Sequence, residues 1–95
     1  MKVYKLIVES SNLSKGSSLN RCVGVFDSRE KAIESLTLET LEKVLRVRNP
    51  STHLESMKGS LERRTKYRFT NFYPATVLTT VAIEESEMNK LEDLL

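Results

Sequence analysis

Tryptophan is absent from this 95-residue chain, and cysteine and histidine occur once each, as Cys22 and His53. A lone cysteine excludes an internal disulfide. One cysteine and one histidine, with no carboxylates spaced around them, fall short of the ligand set of a zinc site. Neither a metal nor a cofactor is therefore expected, and both residues are given structural roles, with Cys22 read as a buried or half-buried strand residue. The only glycines, Gly16, Gly24 and Gly59, lie far apart, which excludes a glycine-rich phosphate loop. No apolar run approaches the ~20 residues of a membrane span. Lys2 and Lys5 are followed by Glu9 and a polar stretch rather than an apolar core, so no secretory leader is expected and the predicted residence is cytoplasmic.

What is present is an ordinary globular mixture. Hydrophobic residues make up 39% and charged residues 29% of the chain, enough apolar material for one core and too much for a disordered segment. The length suits one domain spanning residues 1–95. The net charge of +2 is too small to argue for nucleic acid by itself, but it is unevenly spread. From Arg46 to Arg68 seven basic residues stand against two acidic ones, whereas from Phe69 to Leu95 Lys90 is the lone base against five acids. Such asymmetry marks either partner surfaces or two solvated faces.

Periodicity sets the elements. Residues Val3 to Glu9 alternate as a strand, with Tyr4, Leu6 and Val8 on one face and Val3 and Ile7 on the other. Apolar residues on both faces place this strand inside a sheet. Ser10 to Leu19, rich in Ser, Asn and Gly, reads as a solvated loop. Arg21 to Phe26 reads as a second strand, completing an antiparallel hairpin. Asp27 and Glu30 then form a capping box for a helix from Ser28 to about Val47. Its apolar stripe comprises Ala32, Ile33, Leu36, Leu41, Val44 and Leu45. Thr37 and Thr40 weaken the middle of this helix and allow a break there. Asn49-Pro50 is read as its stop. Ser51 to Ser60, ending near Gly59, reads as a loop.

Leu61 to Phe69 alternates again, with Arg64, Lys66 and Arg68 opposite Thr65, Tyr67 and Phe69. Thr70-Asn71 suits a turn, and Pro74 marks the start of a strand over Ala75 to Ile83. Ser86 to Leu95 reads as a short C-terminal helix. The predicted order is β-β-α-β-β-α. The fold class is α+β, an approximately four-stranded, mostly antiparallel sheet with one main helix on one face.

Three segments carry a resemblance. KVYKLIVES (Lys2 to Ser10) followed by VGVFDSREKA (Val23 to Ala32) resembles small proteins of phage and prophage genomes. These open on a strand, return with a strand ending Gly-hydrophobic-aromatic-Asp/Ser-Ser, and enter a helix through a charged Lys-Ala segment. TTVAIEESEMN (Thr79 to Asn89) is similar to their closing strand and acids. The segment Arg48 to Phe72 departs from the pattern. The resemblance implies a fold and a phage-like origin, hence the cytoplasm of a host. It implies no activity and carries over no functional residues.

No constellation for chemistry emerges. The serines lack an organised base and a Gly-x-Ser-x-Gly turn, and Glu84 and Glu85 point to opposite faces of a strand. The chain is therefore read as no enzyme. Two surfaces remain. Arg46, Arg48, Arg63, Arg64, Lys66, Arg68 and Tyr73 form a candidate surface for a protein partner or for nucleic acid, since cations and aromatic faces serve phosphates and bases. Alternation opposes the second use, because it places Tyr67 and Phe69 away from Arg64, Lys66 and Arg68. Met88, Leu91 and Leu95 form a candidate docking tail. The expected function is a protein-interaction module, a phage or mobile-element accessory protein that binds or inhibits a host protein, and a second copy of the chain is one expected partner. Nucleic-acid binding through residues 63–73 is the alternative.

Overall fold

The computed structural model describes residues 2–71 and 76–87. These form strands β1 (Lys2–Asn12) and β2 (Ser17–Phe26), helices α1 (Arg29–Glu34), α2 (Leu38–Lys43) and α3 (Pro50–Glu62), and strands β3 (Tyr67–Asn71) and β4 (Val77–Glu87). The strands make one antiparallel sheet in the order β2-β1-β4-β3. The α+β class holds, and β1 lies inside the sheet, paired to β2 on one side and to β4 on the other.

One face of the sheet meets the helices. Leu6 and Val8 of β1, Val81 of β4 and Phe69 of β3 share a buried cluster with Ile33, Leu41, Met57 and Leu61 from the three described helices and with Leu36 from the link between α1 and α2. Leu45 and Val47, between α2 and α3, complete it. On the strands these core residues recur at every second position, as a sheet buried on one face requires.

Several details differ from expectation, each for a local reason. The single helix over Ser28 to Val47 is broken into α1 and α2. The Ser35 hydroxyl donates to the Ala32 carbonyl at 2.6 Å, diverting the chain, and the Thr37 side chain then accepts from the Thr40 amide and starts α2. The cap of α1 is Ser28, whose hydroxyl accepts from the Lys31 amide at 3.1 Å. Asp27 instead pairs with the Lys31 ammonium one turn on.

The larger correction is α3, which occupies the segment read as a loop. Pro50 does not end a helix but begins one, at the first-turn position where its missing N–H costs nothing. Leu54, Met57 and Leu61 fall at three- and four-residue spacing and turn inward; Met57 is fully buried. The stretch looked like a loop because Ser51, Thr52, Ser56, Gly59 and Ser60 are weak helix formers, and tertiary burial outweighs that preference. Leu61 therefore belongs to α3, and β3 begins only at Tyr67.

The hairpin loop is also shorter than expected. The Asn12 side chain accepts from the amides of Ser14 and Lys15, the Gly16 amide donates to the Asn12 carbonyl at 2.8 Å, and Gly16 takes φ +71°. This leaves four residues, 13–16, outside the strands. Cys22 is exposed, not buried. It pairs with Ile7 at an edge position where β2 carries a bulge: Leu6 faces Gly24 and Ile7 faces Cys22, so Val23 is the extra residue. Ser86 and Glu87, expected to open the C-terminal helix, instead end β4 because they continue its pairing with Val3 and Lys2; the rest of that expected helix, with Met88, Leu91 and Leu95, and Tyr73 lie outside the described residues.

Candidate functional site

No described helix covers the second face of the sheet, and the register lays its side chains in rows. Cys22, Ile7 and Ala82 stand side by side across β2, β1 and β4. On one side of that row run Asn20, Glu9, Thr80 and Arg68. On the other run Val25, Lys5 and Glu84. Lys66, immediately before β3, joins Ile7, Glu9, Asn20, Ala82 and Glu84 around a shallow depression of about 250 Å³. An apolar strip is thus bordered by charges of both signs: Lys5, Lys66 and Arg68 against Glu9 and Glu84.

The expected basic surface is divided by the fold. Arg46 and Arg48 precede α3, and Arg63 and Arg64 follow it. A 13-residue helix spans about 20 Å, so the two pairs stand at opposite ends. Arg63 and Arg64 close the helix. The Arg64 amide donates to the Leu61 carbonyl and the Thr65 amide to the Ser60 carbonyl, a reversal that puts Arg64 at φ 61°. Arg46, at φ 54°, is likewise left-handed. Lys66 and Arg68 alone of the set reach the open face.

The aromatic residues of the same stretch go the other way. Phe69 is buried, and Tyr67 is half-buried on the helix side. His53 of α3 completes the group: its ring lies 4.8 Å from that of Phe69, and its Nδ1 is 2.8 Å from the Tyr67 hydroxyl. This places the histidine as a polar contact holding α3 to β3. It stands on the side of the sheet opposite Cys22. Among the described residues, no three His, Cys, Asp or Glu side chains gather as a metal site. No helix among them is long and apolar enough to cross a membrane.

At the end of the sheet, on the helix side, the Lys2 ammonium pairs with the Glu85 carboxylate at 3.1 Å. That hydrogen bond and the charge of Glu85 hold the Lys2 pKa above its ordinary value, with smaller contributions from Tyr4 and Glu87.

Lys5, Ile7, Glu9, Ala82 and Glu84 were not among the residues singled out from the sequence. The signal available was the second apolar face of the first strand, carried by Val3 and Ile7. What alternation does not contain is the register that sets Ile7 beside Cys22 and Ala82. Compared with known proteins, the chain matches no family model, no curated protein and no solved structure.

Proposed function

We propose that this chain is a non-catalytic protein-interaction module whose binding surface is the sheet face that no described helix covers. The observation that carries the reading is the apolar row Cys22, Ile7 and Ala82 bordered by Lys5, Glu84, Glu9 and Arg68. Protein interfaces are built in this way, with an apolar centre that is desolvated on contact and a charged rim that selects the partner. The resemblance to phage proteins makes a host protein the expected partner, bound or inhibited by the module. The balance of charge argues for protein over nucleic acid. Glu9 and Glu84 lie among the three cations and would repel a phosphate backbone, while Tyr67 and Phe69 face the helices and offer no ring for a base.

The test is affinity capture of the tagged full-length chain from its native cytoplasm, with and without nuclease. A stoichiometric protein that survives nuclease, is lost with Ala82→Arg and is kept with Arg64→Glu supports the reading. A partner lost with Arg64→Glu and kept with Ala82→Arg moves the surface to the end of α3. Recovery of nucleic acid, with affinity falling steeply as salt rises, overturns the reading in favour of the basic residues.

A further inference from the structure

We propose that the free edge of β2 pairs with the β2 edge of a second copy of this chain, antiparallel, across a two-fold axis normal to the sheet. β2 is ten residues long and borders β1 alone. Its outer side has no strand partner among the described residues, so it presents backbone donors and acceptors in the alternation that another antiparallel strand satisfies. The usual deterrents are weak here. The sequence SSLNRCVGVF holds no proline, no lysine and no acid. Its one charge, Arg21, is turned onto the helix layer, where the guanidinium donates to the Val44 carbonyl at 2.6 Å. The bulge at Val23 bends only the end of the strand and leaves Ser17 to Cys22 in regular register.

Two features of the edge favour a second copy as its occupant. The first is charge. β3, the other edge, is only five residues long and presents Arg68, with Lys66 immediately before it, so two copies paired there would bring four cations to one short junction. Along β2, a two-fold axis through Leu19 sets Arg21 opposite Ser17 and no cation opposite a cation. The second is apolar exposure. Leu19 is 63% exposed on the helix side of the edge, and Val44, whose carbonyl accepts from Arg21 two residues along the same face of the strand, is 41% exposed. The same axis sets Leu19 against Leu19 and brings the two described helix layers to one side of the sheet. The product is one eight-stranded sheet with the described helices on a single face. A junction this narrow lies at the small end of specific interfaces, so the association depends on concentration.

Sedimentation of the full-length chain over a rising concentration series tests the proposal. The expected result is a mass that moves from one chain to two. Leu19→Glu and Leu19→Lys, at an exposed edge position, are each expected to stay at the single-chain mass with an unchanged circular dichroism spectrum. An equimolar mixture of the two is expected to recover the double mass, because opposite charges then meet at the axis. Ala82→Arg, on the open face, is expected to dimerise as the natural chain does. A natural chain that stays single at every concentration overturns the proposal, as does a mixture that stays single. A dimer lost with Ala82→Arg and kept by both Leu19 variants overturns it in favour of pairing through the open face.

Discussion

Met57 shows how much of this fold hangs on single buried side chains. It is fully buried on α3 and sits in one cluster with Leu36, Leu41, Leu61 and Val81. Met57→Ala removes the atoms that tie the helix layer together, and the expected loss is about 2–5 kcal/mol in chemical denaturation. At the start of α1 the effect is smaller. Ser28→Ala leaves the Lys31 amide without its acceptor and is expected to cost about 0.5–2 kcal/mol. Asp27→Ala removes only an exposed ion pair and is expected to cost no more than about 0.5 kcal/mol. A comparison of the two unfolding midpoints decides which residue is the cap. The Lys2–Glu85 pair gives a pH signature. A lysine whose folded pKa is raised contributes stability that is fully present below its unfolded value and is lost as pH rises through the folded one. The stability difference between the natural chain and Lys2→Met is therefore expected to be constant through neutral pH and to vanish in the alkaline range, measured by denaturation at a series of pH values.

At the scale of elements, α3 is the informative case. Its weak intrinsic preference hid it in the sequence, and that weakness makes it open to strengthening. Gly59 lies within the helix, and an added methyl group would approach only the end of the exposed Arg63 side chain, at 3.3 Å, which swings aside. Gly59→Ala is expected to stabilise the protein by about 0.5–1 kcal/mol in thermal or chemical unfolding. Arg64 closes the same helix in a left-handed conformation that favours glycine, and Arg64→Gly is expected to add about 1 kcal/mol. The strands were the legible part, because alternation in Tyr4–Val8 and Tyr67–Phe69 follows which side chains face the helices. The helix boundaries were not. Ser35, Thr37 and Pro50 each have two local uses, and packing against the sheet chooses between them.

Among the described residues the molecule is a two-layer arrangement in which one sheet face meets the helices and no described helix covers the other, although Val3 and Thr80 on that second face are buried. Its class and its mostly antiparallel pairing could be read from the order of periodic segments. The candidate surface could not, since it arises from register between strands far apart in sequence. Arg46, Arg48, Arg63 and Arg64 look contiguous as a charge run, and the intervening α3 holds the two pairs apart. Conversely Ile7, Cys22 and Ala82 look unrelated in the chain and are neighbours in space. Ala82→Arg, at a half-buried position on the open face, is expected to leave the unfolding midpoint nearly unchanged while abolishing partner capture. A matched pair of melting curves and pull-downs reads both.

The strand order also dictates a timetable. β1, made before the other strands, finds one neighbour at once in β2 but must wait for β4, its other neighbour, until the three described helices and β3 have been synthesised. A ribosome-bound chain lacking β4 would hold Leu6 and Val8 against helices with half of their sheet missing, and closing so long a span is slow because its entropy must be lost before any contact rewards it. The hairpin is therefore a waiting platform, and the chain's exposure to chaperones and proteases is set by how soon β4 arrives to complete it.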